Sequence, residues 1–296
     1  MEKLKVTKNN IRIDDYLKDE LNLSRSKIQK LIKSNDVLVN DKPIKNSYLV
    51  KENDIITYSI VEEDNKISAN KMDLNIVYED DDVIVVDKKN GVVVHPAVGN
   101  KENTLVNGLI YYSKNLSTIN GEFRPGIVHR IDAYTTGLLM IAKNDEAHLN
   151  LAKQLEEKTV NREYKALVWG CILNDTGTID APIGRDKYDR KKMAVTSSGK
   201  KAITHFKVLE RFENASLIQL KLETGRTHQI RVHMNYIGYP VVNDPVYGRR
   251  KIIDNTGQCL HAYLLGFNHP KTGKYLEFKS ELPECFTNIL EQVKNS

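Results

Sequence analysis

Cysteine is scarce in this chain, with Cys171, Cys259 and Cys285 the three present. They are scattered, with no Cys-x-x-Cys spacing and no even count, which argues against a disulfide framework and a thiolate zinc site and fits reducing cytoplasm. Long apolar runs are missing too. No stretch approaches a membrane span, and Met1-Glu2-Lys3-Leu4-Lys5-Val6-Thr7-Lys8 lacks the apolar segment of a secretory signal, so a cytoplasmic protein without membrane contact is expected. The chain has no Gly-x-x-x-x-Gly-Lys-Ser/Thr, no Gly-x-Gly-x-x-Gly and no Gly-x-Ser-x-Gly, which argues against nucleotide hydrolysis, dinucleotide chemistry and the α/β-hydrolase triad. His228 and His233 stand at i, i+5 with no His-Glu-x-x-His, and the Pro-Cys-x-x-Cys of zinc deaminases is lacking. No metal and no organic cofactor is expected.

What is present is a mildly basic chain of 296 residues with 40% hydrophobic content, formal net charge +5 and pI near 8.8. That content can bury one large core, or a large and a small one. The charge leans towards a polyanionic partner without deciding it. A polar, charged stretch around residues 61–71 has little to bury and reads as a linker, so the expected division is a small domain at 1–61, a linker at 62–73 and a large domain at 74–296.

In the small domain, residues 14–21 read as a helix, Ser24 can cap a second helix through Lys33, and Val37-Leu38-Val39-Asn40-Asp41 opens a hairpin. Ile28, Leu31 and Ile32 share one narrow face of the second helix. Arg25, Lys27, Lys30 and Lys33 occupy the rest with no acid among them, a one-signed face suited to backbone phosphates.

From residue 74 onwards the chain is strand-rich. Residues 76–79 and 83–88 flank an Asp80-Asp81-Asp82 turn that reads as solvated rather than metal-binding, and Asn90-Gly91-Val92-Val93-Val94-His95-Pro96 follows. Gly126-Ile127-Val128 reads as a short buried strand, and Leu138-Leu139-Met140-Ile141-Ala142 as another. Between them Asp132 stands next to a Thr135-Thr136-Gly137 turn, held on both sides by packed backbone. A helix is expected over 145–158 with Leu149, Ala152 and Leu155 inward. Helices are too few for a bundle, so the fold class is α+β with a mixed, mostly antiparallel sheet and a small α/β N-terminal domain.

Three segments carry charged or aromatic groups into such surroundings: His129-Arg130-Ile131-Asp132 with Thr135-Thr136-Gly137, Glu163-Tyr164-Lys165-Ala166, and Gly225-Arg226-Thr227-His228-Gln229-Ile230-Arg231-Val232-His233. Together they resemble the motifs of the RluA/RluD-type RNA pseudouridine synthases, and the resemblance runs over nearly the whole chain, through Asn243-Asp244-Pro245-Val246-Tyr247-Gly248 and His261-Ala262-Tyr263-Leu264-Leu265. Asp15-Tyr16-Leu17, Ser24 to Ile32 and Val37-Leu38-Val39-Asn40 resemble the alpha-L RNA-binding module of a small-subunit ribosomal protein and of tyrosyl-tRNA synthetases.

The resemblance implies the pseudouridine synthase fold and isomerisation of uridine without metal or cofactor: the bond from ribose C1′ to uracil N1 breaks, the base turns, and C5 bonds to the same carbon. It places the catalytic aspartate at Asp132, acting as nucleophile on ribose or base or assisting elimination at the sugar. Arg231 becomes its guanidinium partner. Tyr164 stacks on the base and assists loss of the C5 proton, and Arg130 fills the space of the extruded nucleotide. Arg226, His228 and His233 are expected to orient the cleft and grip phosphates. A monomer acting on large-subunit (23S) ribosomal RNA or an assembling subunit is expected, with transfer RNA as the alternative substrate and a non-catalytic ribosome-assembly factor as the alternative class. Ala133-Tyr134 departs from the charged pair frequent at those positions.

Overall fold

Asparagine, not glycine, makes the tight turns of the first sixty residues. No glycine precedes Gly91, and the left-handed positions there are Asn10, Asn22, Asn35, Asn40, Asp41 and Asn53. Asn and Asp tolerate this conformation because their short side chains bond locally to the backbone. The computed structural model describes the chain apart from residues 61–66, 97–99, 101, 120, 122–123, 249–251 and 296, so the first part of the expected linker lies outside the described residues. Two units are present, Met1–Asn65 and Lys66–Ser296.

The first unit runs β1 (Glu2–Lys5), β2 (Ile11–Arg12), α1 (Ile13–Leu21), α2 (Arg25–Lys33), β3 (Val37–Val39), β4 (Lys42–Pro43), β5 (Leu49–Val50) and β6 (Ile55–Tyr58). Its sheet has the order β1-β6-β3-β4, with β2 paired to β5. Ile13, Tyr16 and Leu17 of α1 pack with Ile28 and Ile32 of α2 over Val37, Val39 and Ile56. Ser24 caps α2, accepting from the Lys27 amide at 3.4 Å. Asn40 and Asp41, both at positive φ, turn β3 into β4.

The second unit contains β7 (Asn75–Glu79), β8 (Val83–Lys88), α3 (Leu105–Tyr112), β9 (Thr136–Ala142), α4 (Asp145–Glu156), β10 (Asn161–Trp169), β11 (Thr176–Asp180), β12 (Ile183–Arg185), β13 (Met193–Val195), β14 (Ile203–Arg211), β15 (Ala215–Leu222), α5 (Gln229–Tyr236), β16 (Leu260–Asn268), β17 (Tyr275–Lys279) and α6 (Glu284–Lys294). Nine strands form one sheet in the order β11-β14-β15-β10-β16-β9-β8-β7, with β17 also on β16. The fold is α+β. Among the described residues the sheet has a single parallel junction, His261 with Thr136 and Ala262 with Gly137. At that seam Gly137 has φ +107, and a Cβ there would stand 2.2 Å from the Ala262 carbonyl oxygen, so only glycine lets the two strands meet.

The apolar runs of β8 and β9 follow from covering both sheet faces. Ile84, Val86, Leu139 and Ile141 pack towards α3, while Val83, Val85, Leu138 and Met140 pack towards Ala147 and Leu151 of α4. The buried face of α4 is shifted from the expected one: Leu155 packs half-buried against the core as expected, but Leu149 is 61% exposed, and Ala147, His148, Leu151 and Gln154 are the buried residues. Asn144 fixes the phase by capping the Ala147 amide, and Gln154 is buried because its amide exchanges hydrogen bonds with the Asn268 backbone.

Two further expectations change. Gly126-Ile127-Val128 forms an isolated bridge, Ile127 to Ile141, rather than a strand, because Gly126 sits at φ +71. The turn after Asp132 has Ala133 and Tyr134 at its centre and closes from the Thr135 amide to the Asp132 carbonyl at 3.1 Å, so Thr136 and Gly137 already belong to β9.

Candidate active site

Asp132, in the turn that leads into β9, and Tyr164, on β10, line one cleft, and β9 and β10 flank β16 in the sheet. The cleft has a volume of about 400 Å³, and Arg130, Arg226, His228 and Arg231 also line it. Six of the expected site residues thus converge from segments up to 101 positions apart in sequence.

The first turn of α5 delivers Arg231, which is 4% exposed. Its Nη1 donates to Asp132 Oδ2 at 2.8 Å. On its other edge Nε and Nη2 donate to the two oxygens of Asp244 at 2.7 and 2.9 Å. The Asp244 oxygen that receives Nη2 also accepts from the Val246 and Tyr247 amides at 2.8 and 3.0 Å. Burial alone would lift the Asp244 carboxyl; the Arg231 guanidinium and these amides hold it below the usual range. Burial likewise works against the Arg231 charge, and Asp244 and Asp132 more than restore it. Asp244 is thus the second anchor of this guanidinium.

His228 begins α5 in the left-handed region, φ 55. Its Nδ1 lies 2.8 Å from the Tyr247 hydroxyl, which also accepts from the Met193 amide at 2.9 Å. All three groups are satisfied when the tyrosine donates to Nδ1, leaving Nε2–H towards Asp132 Oδ1 at 3.7 Å. Burial holds this imidazole below its ordinary pKa, with Arg231 and Arg130 adding to the effect and Asp132 opposing it.

Tyr164 is buried, and its hydroxyl makes no hydrogen bond among the described residues. Burial raises its pKa, Asp132 adds to the rise, and Arg162 opposes it. At the mouth the exposed Arg130 donates from Nη1 to His95 Nε2 at 3.2 Å. His95 is 5% exposed and lowered to about 4, first by burial and then by Arg130 and Arg124, so it is a neutral acceptor that orients Arg130. Arg226 is exposed, and its Nε donates to the Lys201 carbonyl at 3.0 Å.

Lys88 carries no motif signal, since it reads as the polar end of a strand. It is 2% exposed and donates to the carbonyls of Ala133 and Lys89 at 2.7 and 2.9 Å, tying down the turn that bears Asp132. Burial brings it down to about 7, against the pull of Asp132 and Asp87.

His233 does not belong to the cleft surface. It is fully buried between Thr204 Oγ1 at 2.8 Å and the Ala181 carbonyl at 2.9 Å, so it braces α5 and cannot grip a phosphate. Among the described residues Asp80, Asp82 and His269 bring possible metal ligands within 4.8 Å of one another. Asp80 is already engaged by His269, by Tyr78 and by the Asp82 and Val83 amides.

In the N-terminal unit Lys27, Lys30 and Lys33 are exposed along α2. Arg25 differs. Its Nε lies 3.0 Å from buried Asp14 and its Nη1 3.3 Å from Asp15. The helix itself has no acid, but α1 supplies two, so the face is less one-signed than the sequence of α2 suggests.

Two family models match the chain. Residues 82–236 match the RNA pseudouridylate synthase family and residues 11–56 the S4 domain. An uncharacterized RNA pseudouridine synthase of Bacillus subtilis (strain 168), YlyB, is 54% identical over 96% of this chain and 95% of its own length. The ribosomal large subunit pseudouridine synthase D of Pseudomonas aeruginosa is 46% identical over 76% of this chain and 73% of its own. Among solved structures, human RNA pseudouridylate synthase domain containing 1 superposes with a TM-score of 0.59 at 26% identity, covering 76% of this chain and 96% of that one. With its family model spanning the cleft and a relative aligned almost end to end, the chain belongs to the RNA pseudouridylate synthases and carries an S4 domain ahead of the synthase unit.

Proposed function

We propose that this enzyme isomerises specific uridines of large-subunit ribosomal RNA, with Asp132 as the catalytic carboxylate and no metal or organic cofactor. The observation that carries the reading is the 2.8 Å bond from Arg231 to Asp132 inside a cleft walled by Tyr164. A guanidinium locked on its far side by Asp244 fixes the position of the reacting oxygen, the kind of preorganisation that lowers a barrier without motion during the reaction. The remaining Asp132 oxygen is left for the nucleotide.

In this reading Tyr164 lies against the flipped uracil, and its hydroxyl assists removal of the C5 proton once the new carbon–carbon bond has formed. Arg130, held by His95, enters the stack vacated by the nucleotide. Arg226 and His228 contact the RNA at the cleft, while Lys27, Lys30 and Lys33, with Arg25 as their anchored neighbour, supply phosphate contacts from the N-terminal domain. The ribosomal substrate is supported by the names of relatives such as the Pseudomonas aeruginosa enzyme.

The test is pseudouridine mapping in total RNA from cells with the gene, without it, and with Asp132→Asn in its place. The expected result is loss of one or a few sites in large-subunit ribosomal RNA in both mutant strains. Sites lost from transfer RNA would redirect the substrate, and retention of every site in the Asp132→Asn strain would remove Asp132 from the chemistry.

A further inference from the structure

Arg162 has no part in the mechanism above, yet it is 8% exposed and lines the cleft. It lies on β10 two residues before Tyr164, so the pleat sends both side chains to the same side. Among the described residues its guanidinium has no hydrogen bond and no carboxylate partner, and its Nε is buried without an acceptor. Gly225 makes the seat. A Cβ at that position would stand 2.9 Å from Arg162 Nη1, so a larger residue there would push the guanidinium aside. A buried cation without a counter-charge is a standing cost to the free protein. An acceptor that arrives with the substrate would match it.

We infer that Arg162 binds the carbonyl oxygens of the target uracil and stabilises the negative charge they acquire when the bond from C1′ to N1 breaks. The inference rests on the reading of Asp132 and Tyr164 given above. In the nucleophilic or elimination route at the sugar, the electron pair of that bond leaves with N1, and the base becomes an anion with its charge spread over O2 and O4. Addition of the carboxylate to the ring at C6 would also push charge onto O4. Every route therefore puts negative charge on O4, and the routes at the sugar put it on O2 as well. Closure of the bond from C5 to C1′ discharges them, and the later loss of the C5 proton is balanced by uptake of a proton at N1, so no outside reactant is needed.

The geometry of uracil adds a second advantage. Turning the ring about the axis through C6 and N3 exchanges N1 with C5 and also O2 with O4. A fixed cation facing one carbonyl before the turn faces the equivalent carbonyl after it. Arg162 can therefore hold the base at both ends of the reaction without moving. A backbone phosphate fits this site less well, because the exposed guanidinium groups at the mouth, Arg130 and Arg226, are where a solvated phosphate would first meet charge.

The experiment compares the intact enzyme with Arg162→Gln, Arg162→Lys, Gly225→Ala and Asp132→Asn. The probe is total RNA, tritiated at uracil C5, from cells lacking the gene. Single-turnover tritium release over a range of excess enzyme gives a limiting rate and a half-saturating concentration. Arg162→Gln is expected to lower the limiting rate about 10²- to 10³-fold, the cost typical of removing one donor to a developing oxyanion. Its half-saturation should stay within about threefold, and its Tm should equal or exceed that of the intact enzyme, because a buried unmatched charge has been removed. Arg162→Lys should recover part of the rate, and Gly225→Ala should lose rate with every charge retained. An unchanged limiting rate with weaker half-saturation and a shallower salt dependence would identify a phosphate contact and overturn the inference; so would a lower Tm for Arg162→Gln. If Asp132→Asn is inactive while Arg162→Gln keeps the full rate, this inference alone falls; if Asp132→Asn is active, the underlying reading falls instead.

Discussion

Asp244 grips Arg231 from the edge opposite Asp132, with Nε and Nη2 2.7 and 2.9 Å from its two carboxylate oxygens. The guanidinium is shared between Asp244, which is fully buried, and Asp132, which faces the cleft at 18% exposure. Two carboxylates share this one guanidinium, and the charge of Asp132 also acts on Lys88 and on Arg130.

Removal of Asp244 should therefore damage both stability and rate. Asp244→Ala leaves Arg231 buried with one partner, a change of about 3 to 5 kcal/mol, which for a unit of this size lowers Tm by roughly 6 to 20 °C. The turnover number should fall as well, since Arg231 is free to turn away from Asp132. A melt and a single-turnover assay on the same preparation check this, and an unchanged Tm would show that Arg231 does not depend on Asp244.

Tyr164→Phe separates stacking from proton removal. It keeps the aromatic face and loses the hydroxyl, so uridine should be consumed while tritium release from C5 lags behind. Tyr164→Ala should in addition weaken capture of the flipped base by about 1 to 3 kcal/mol. Coincident time courses in Tyr164→Phe would assign the tyrosine to packing alone.

Changing Lys27, Lys30 and Lys33 together to glutamine should weaken RNA binding and flatten its salt dependence, by about 0.7 to 0.9 of a log–log unit for each phosphate that a lysine no longer neutralises. The limiting single-turnover rate should survive. Arg25→Gln should behave differently, lowering the stability of the first unit, because Arg25 pairs with Asp14 and Asp15. Equal salt slopes for the triple variant and the unaltered chain would remove α2 from the interface.

Acid should destabilise the synthase unit through His95. Its folded pKa of about 4 lies below the ordinary 6.5, so the unfolded chain takes up the proton first as pH falls. The contribution is present in full above about pH 6.5 and is lost progressively between 6.5 and 4. Melting curves across that range should show a shallower decline for His95→Asn than for the unaltered chain. Parallel declines would mean that His95 is not buried as a neutral base.

The pairing of Asp132 with Arg231 was legible because both residues stand in motifs whose chemistry demands a fixed carboxylate. Asp244 was not, since an Asn-Asp-Pro sequence reads as an ordinary turn and nothing local says which guanidinium it will meet. Lys88 and Arg162 escaped for a related reason: a basic residue at the end or start of a strand is normally solvated, and only tertiary packing buries it. Leu149 illustrates the reverse, an apolar residue left outside because a cap fixed the phase of its helix. His233 shares a motif with His228 but faces the core, since five residues along α5 carry it round to another side.

The place of β16 in the sheet, between β9 and β10, also bears on when the enzyme comes into being during its synthesis. Asp132 and Tyr164 leave the ribosome well before Leu260–Asn268, the strand that sets the spacing between them. A nascent chain that has emerged only as far as α5 holds Asp132, Tyr164 and Arg231 but lacks the strand that joins β9 to β10. On the site assignment proposed above, catalytic competence waits until late in translation, and a prematurely terminated product lacking β16 is expected to be inactive.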